Sequence, residues 1–128
     1  MGIYSQKIVK MVSNYLFQPV LSQEAFDAYY ERLPENIEVS WVRDGKHIIG
    51  NVIADENKFT TQGESAEDFI EMVNDSIYTV NGIPFEYIDI IKKNKAYNPP
   101  AEVLSQLKDL DILKNTISLK KNTEQIRQ

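Results

Sequence analysis

Ile37-Glu38-Val39-Ser40-Trp41-Val42-Arg43-Asp44-Gly45-Lys46-His47-Ile48-Ile49 and Thr61-Gln62-Gly63-Glu64-Ser65-Ala66-Glu67-Asp68-Phe69 are the stretches that decide the fold. In the first, Ile37, Val39 and Trp41 alternate with Glu38 and Ser40, the period of two of a half-buried strand. Asp44-Gly45 reads as a tight hairpin turn of type I′, with positive φ at both central positions. The return strand, residues 47–54, carries Ile48, Ile49, Val52 and Ile53 and predicts a strand covered on both faces. Asp55-Glu56-Asn57 makes the next turn, and residues 58–62 form a third strand. Gly63 is expected to relieve strain where the chain leaves the sheet. Ser65 is a good N-cap with Asp68 three residues later, a variant of the capping box. Ala66, Phe69, Ile70, Val73, Ile77 and Val80 then recur at helical spacing, predicting a helix over 66–80 that covers the sheet. Asn81-Gly82 ends it.

The fourth strand is expected at residues 85–91. The fold class is therefore α+β, an antiparallel β-β-β-α-β sheet with extra N- and C-terminal helices. One compact domain is expected. Residues 1–35 form a helical segment on the core, 36–92 the core itself, and 93–128 a C-terminal helix and tail.

The segment 61–77 resembles the HicB antitoxin family. The residues that carry the likeness are Thr61-Gln62-Gly63-Glu64-Ser65-Ala66-Glu67-Asp68-Phe69, then Val73 and Asp75-Ser76-Ile77. The preceding hairpin fits the same arrangement, so the likeness spans roughly residues 37–91. Where the family has a Pro-Asp-Leu-Pro-Gly-like segment, this chain has Asp55-Glu56-Asn57-Lys58-Phe59. No helix-turn-helix or ribbon-helix-helix module is visible. The resemblance implies a degenerate ribonuclease H-like fold and a role in binding and neutralising a small ribonuclease toxin.

Composition bounds the rest. The chain has 128 residues, 42% hydrophobic content and a net charge of −5. That is enough for one domain with a core, and the acidity argues against a protein that coats nucleic acid. With no cysteine, disulfides, thiolate metal sites and cysteine nucleophiles are excluded. There is no secretory signal pattern and no apolar run of roughly 20 residues, so a cytoplasmic location is expected.

Charge is unevenly spread. Residues 36–80 hold nine acids and three bases, a net −6, whereas residues 81–128 hold eight bases and six acids, a net +2. The acidic half suits a small basic partner, with Glu64, Glu67, Asp68, Glu71 and Asp75 as candidate partner-binding residues. The plainer alternative is a solvated helix face and hairpin rim.

Toward the N-terminus, Ile3, Lys7, Ile8, Met11, Val12, Tyr15 and Leu16 fit an amphipathic helix that Gln18-Pro19 breaks. Ser22 caps a second, with Ala25, Phe26, Tyr29, Tyr30 and Leu33 inward. Its Glu24, Asp27 and Glu31 repel phosphate, so DNA binding is disfavoured. Lys92-Lys93-Asn94-Lys95 with Tyr97 is either a base-stacking cluster or the solvated end of an edge strand. Pro99-Pro100 starts a helix at Ala101 with Val103, Leu104, Leu107 and Leu110 inward. Residues 116–120 suit a short last strand, and 121–128 a frayed tail.

Catalytic equipment is thin. His47 is the only histidine, and two-histidine metal chemistry needs a second. Glu38, Asp55 and Glu56 do not converge as a two-metal nuclease requires. No catalytic residue, metal ligand or cofactor is expected. Helical stripes beyond the sheet's own needs point to a homodimer or larger assembly.

Overall fold

The structure, a computed structural model, describes residues 23–122, and of 91–94 only the backbone. The helix expected within 1–17, the Ser22 cap and the end of the tail lie outside the described residues. The elements in chain order are α1 (Gln23–Glu31), β1 (Asn36–Asp44), β2 (His47–Ala54), β3 (Asn57–Gly63), α2 (Ala66–Val80), α3 (Phe85–Asn94), α4 (Ala101–Lys108) and β4 (Lys114–Lys120). The fold is α+β. Its single described sheet has the order β3-β2-β1-β4, with every neighbouring pair antiparallel.

The first hairpin pairs Asp44 with His47, so Gly45 and Lys46 are its central residues. Only Gly45 has positive φ, +63°. The turn therefore has the type II′ pattern of φ angles rather than the expected I′ pattern. The second hairpin closes Ala54 on Asn57 and puts Asp55 at φ 55°.

The sheet has one buried face. Ile37, Val39 and Trp41 from β1, Ile48 and Val52 from β2, and Ile117 and Leu119 from β4 point into the core. The expectation that β2 is covered on both sides fails, because no described element lies over the outer face. There Ile53 is 41% exposed. Ser40 bonds Thr116 at 3.3 Å and Thr60 bonds Asn51 at 2.9 Å across neighbouring strands, an ordinary wet face of an antiparallel sheet.

Residues 85–91 are helix, not the expected strand. Tyr87 and Ile88 are adjacent in the chain and both pack on the core. Adjacent residues of a strand point to opposite faces, so a one-faced sheet cannot bury both. Pro84 instead starts a helix, its carbonyl accepting from the Tyr87 and Ile88 N–H groups. The fourth strand is β4, which pairs with β1 from Asn36↔Lys120 to Val42↔Lys114.

Helix α2 holds the core. Phe69, Val73 and Ile77 are fully buried. Ser65 accepts from the Asp68 N–H at 3.1 Å, and Asp68 in return accepts from the Glu64 N–H at 2.9 Å. At the far end the Ile83 N–H reaches the Tyr78 carbonyl and the Gly82 N–H the Thr79 carbonyl. With Gly82 at φ +69°, this is a full Schellman ending.

Gly63 serves close approach rather than strain relief. A Cβ there would come within 2.5 Å of the Phe69 Cα and 2.9 Å of the Asp68 carbonyl carbon. A Cβ on Gly50 would meet the Phe69 Cζ at 2.5 Å. Phe69 thus lies in a channel left by two missing side chains.

A buried polar network joins α2 to the segment before α4. The Asn74 Oδ1 accepts from the Tyr78 hydroxyl (2.8 Å) and the Tyr97 N–H (2.9 Å), and its Nδ2 donates to the Ile70 carbonyl (2.9 Å). The Ala96 N–H donates to the Tyr78 hydroxyl, and the Tyr97 hydroxyl donates to the Pro34 carbonyl. Tyr97 is therefore core, and neither stacks bases nor ends a strand. Burial pushes the Tyr78 and Tyr97 hydroxyls well above the ordinary tyrosine range.

Two cations fix the remaining segments. Arg43 donates to the carbonyls of Ile112 (2.9 Å), Leu107 (2.6 Å) and Asp109 (3.1 Å) while its guanidinium lies 5.3 Å from the Trp41 ring centroid. Lys121 is buried, not frayed. Its Nζ donates to the Tyr30 carbonyl in the last turn of α1 and to the Leu33 carbonyl just past it, and pairs with Glu35 at 3.3 Å. The chain turns out after α4, so Leu110 is 70% exposed instead of inward.

Phe69→Ala is expected to lower the unfolding free energy by about 3–5 kcal/mol in denaturant melts. Gly63→Ala, which meets backbone, should cost more than Gly50→Ala, which meets a ring that can tilt. Overpacking of this kind typically costs about 1–3 kcal/mol. Equal penalties would mean that helix and strand do not approach as closely as described.

Alkaline unfolding follows from Tyr78 and Tyr97. Unfolded tyrosine ionises near pH ~10, whereas these two hold their protons to higher pH. Above pH ~10 the unfolded chain binds fewer protons, so stability falls as pH rises, by up to about 1.4 kcal/mol per pH unit for each tyrosine. Tyr78→Phe together with Tyr97→Phe should flatten that slope in melts between pH 9 and about 12.

Candidate functional site

Helix α2 sets the geometry of the five acids that the sequence picks out. Positions 67, 71, 74 and 78 run down one flank of a helix, and 68, 72, 75, 76 and 79 down the other. The first flank faces the Tyr97 segment and α4. There Glu67 meets Lys108 at 2.9 Å. The hydrogen bond from Lys108 holds the Glu67 carboxyl below the usual carboxylate range, with the helix's own backbone N–H assisting. Glu71 is exposed on the solvent side of the first flank. Glu64 and Asp68 sit at the cap, where the Asp68 carboxylate is engaged by the Glu64 N–H. Asp75 lies half-buried farther along. The five do not form one cluster. Asp68 serves the helix end, Glu67 is spanned to α4, and Asp75 faces a groove.

That groove lies between β3 and the second flank of α2. Phe59, Thr60, Asp75, Ser76, Thr79 and Val80 line about 290 Å³. Its position follows from the antiparallel course of the two elements. Gly63 touches Phe69 near the start of α2, so Phe59 and Thr60 fall beside its last turns. The Asp55-Glu56 turn, just before β3, belongs to the same end. Val80, expected in the core stripe, is 41% exposed here, and Met72 is exposed two turns earlier on the same flank. The sequence carried a signal of this: Met72, Ser76 and Val80 recur at steps of four, a weak second stripe beside the core stripe. Over residues 55–80 there are seven acidic side chains and one base, Lys58.

A second, wider depression of about 440 Å³ lies on the outer sheet face between Val42, Ile49, Asn51, Lys114 and Thr116. No group of three or more His, Asp or Glu side chains is placed to hold a metal among the described residues. His47 is exposed at the start of β2. Among the described residues no helix is long and apolar enough to cross a membrane.

Comparison of the chain with protein-family models, with curated proteins and with solved structures finds no match.

Because Asp68 and Ser65 build the helix cap, Asp68→Ala and Ser65→Ala should each lower stability by about 1 kcal/mol. Thermal melts of the two variants and of the double variant provide the check. The double variant should lose less than the two single losses combined, since each residue completes the other's cap.

Proposed function

We propose that this chain is a non-enzymatic, antitoxin-like binding protein that holds and neutralises a small basic ribonuclease toxin. The observation that carries the reading is the acidity of the stretch that forms the second turn, β3 and α2, which holds seven acids and one lysine of its own, with Glu67 paired to Lys108 of α4. Such a surface attracts a protein that itself binds RNA, and raises its rate of association. The HicB-like run 61–77 supports the same role, with a degenerate ribonuclease H-like core as the corresponding fold. The β-β-β-α order of residues 36–80 fits it. The strand that completes the sheet follows two further helices. In this reading the protein acts in the cytoplasm, needs no cofactor, does not depend on DNA, and works as a homodimer or larger assembly.

A second reading has its own support. Phe85 is 78% exposed and Leu113 64%. Apolar side chains of this size in the open favour a stand-alone HicB-like interaction or oligomerisation module with no toxin partner.

Pull-down from the native cell with mass spectrometry, combined with light scattering, separates the two. Recovery of a short basic protein supports the antitoxin-like reading. Self-association without one supports the module. With the partner in hand, Glu67→Lys combined with Glu71→Lys should slow association at least about tenfold at low salt and flatten its salt dependence, with the fold retained. RNA or DNA cleavage that survives purification and is lost in Asp55→Asn or Glu56→Gln would overturn the non-enzymatic part.

A further inference from the structure

We infer that the groove between β3 and α2 receives an extended basic segment of the partner, which lies along β3 as a fifth strand of the sheet. The inference rests on the reading that the partner is a basic protein, and adds how that protein docks.

Edge position is the first argument. In the order β3-β2-β1-β4, β3 has β2 on one side and no described strand on the other. An edge strand offers unpaired N–H and C=O groups along its length, the template on which an extended peptide adds. Main-chain bonds supply part of the affinity, and pockets for alternate side chains supply the selectivity.

The groove is where those alternate side chains go. A strand laid beside β3 turns every second side chain toward the face that α2 covers. On that face it meets Phe59, which is only partly buried, and Val80 on the last turn of α2. Its remaining side chains fall on the wet face, beside Lys58, Thr60 and Gln62. An aliphatic residue of the incoming strand therefore seats against Phe59 and Val80. Met72, two turns earlier on the same flank of α2, adds a further exposed apolar side chain.

Charge then selects the edge and the occupant. Asp75 lines the groove itself. The Asp55-Glu56 turn stands at one end of β3, and Glu64 follows its other end. A strand that carries lysine or arginine around its aliphatic anchor meets acids at both ends of this edge and in the groove, with Lys58 the one base on β3 itself. The opposite edge of the sheet has the other sign. β4 carries Lys114 and Lys120 at its two ends and no acid between them. The same basic segment is repelled there, so the two edges are not equivalent and β3 is the one addressed.

The test uses the full chain, nitrogen-15 labelled, with a blocked decapeptide of alternating Val and Lys as the probe. Two control peptides accompany it. One is N-methylated at every valine, which removes the donors a strand needs. The other alternates Val and Glu. The expected result is that the Val-Lys peptide shifts the amides of Asn57–Gly63 and the methyl signals of Val80, and slows hydrogen exchange along β3. N-methylation and the Val80→Lys variant should each weaken binding about tenfold or more, and the Val-Glu peptide should not bind.

Equal binding of the N-methylated peptide would overturn strand addition while leaving a basic partner in place, since charge attraction alone survives methylation. Equal binding of the Val-Glu peptide, or shifts confined to β4, would also overturn it. So would nuclear Overhauser contacts between β3 amides and residues 1–22, or β3 shifts that depend on protein concentration without peptide. Those outcomes assign the edge to the chain's own N-terminal segment or to a second copy. A Val-Lys peptide seated on β3 when native pull-down yields no basic protein would support the groove and overturn the partner reading. Recovery of a basic protein with no peptide response at β3 would do the reverse.

Discussion

The ring of Phe69 rests where two side chains are missing. Gly50 leaves room under it in the middle of β2, and Gly63 lets the backbone of α2 come against the end of β3. A helix normally stands off a sheet by the thickness of two layers of side chains. Here one layer is removed at one point, so α2 is pinned at its N-terminal end and its direction is set. The cap formed by Ser65 and Asp68 makes the same turn rigid from the helix side. Once this corner is fixed, Val73 and Ile77 are carried into the core without further instruction, and Asn74 and Tyr78 are presented to the segment that carries Tyr97.

From that corner α2 divides the molecule. Its inner flank is structural, with Asn74 at the centre of buried bonds whose loss would leave the Tyr97 N–H and carbonyl unsatisfied inside the core. Its outer flank faces the free edge of the sheet and carries Met72, Ser76, Thr79 and Val80 with Asp68 and Asp75. Stability and the proposed groove contact thus sit on opposite sides of one helix. Asp68 is the exception. It carries the charge of one side and serves the geometry of the other, so its removal conflates the two.

The legibility of this fold in the sequence followed distance along the chain. The hairpins and α2 were readable because their causes are local: Asp44-Gly45, the alternation of Ile37, Val39 and Trp41, and Ser65 with its acids. The bounds of α2 match the expectation of 66–80. Residues 85–91 suggest a strand because Phe85 and Tyr87, with Glu86 between them, imitate a period of two. Pro84 and the adjacent pair Tyr87-Ile88 carried the correct signal. Long-range partners were invisible. Nothing near Asn74 announces Tyr97, and nothing near Lys121 announces the carbonyls of Tyr30 and Leu33. The candidate site suffered in the same way. The acids were legible as charge, but which of them cap, which pair with Lys108 and which line a groove depends on where β3 and α4 lie. Gly63 was picked out correctly and for the wrong reason, since close approach and backbone freedom leave the same residue.

β1 lies inside the finished sheet, yet its neighbour β4 arrives from far downstream; Ser40 and Thr116, bonded across the two strands, are 76 positions apart. As the chain is made from its N-terminus, β1 acquires β2 at once and then waits. Through that interval it is an edge strand with a dry, apolar face, and Arg43 has no carbonyls to hold. The nascent protein is thus most prone to sticking to its own kind in the period between the synthesis of its helices and the release of its last strand. A chain stopped short of β4 has not merely lost a tail. It has had its centre turned into a border.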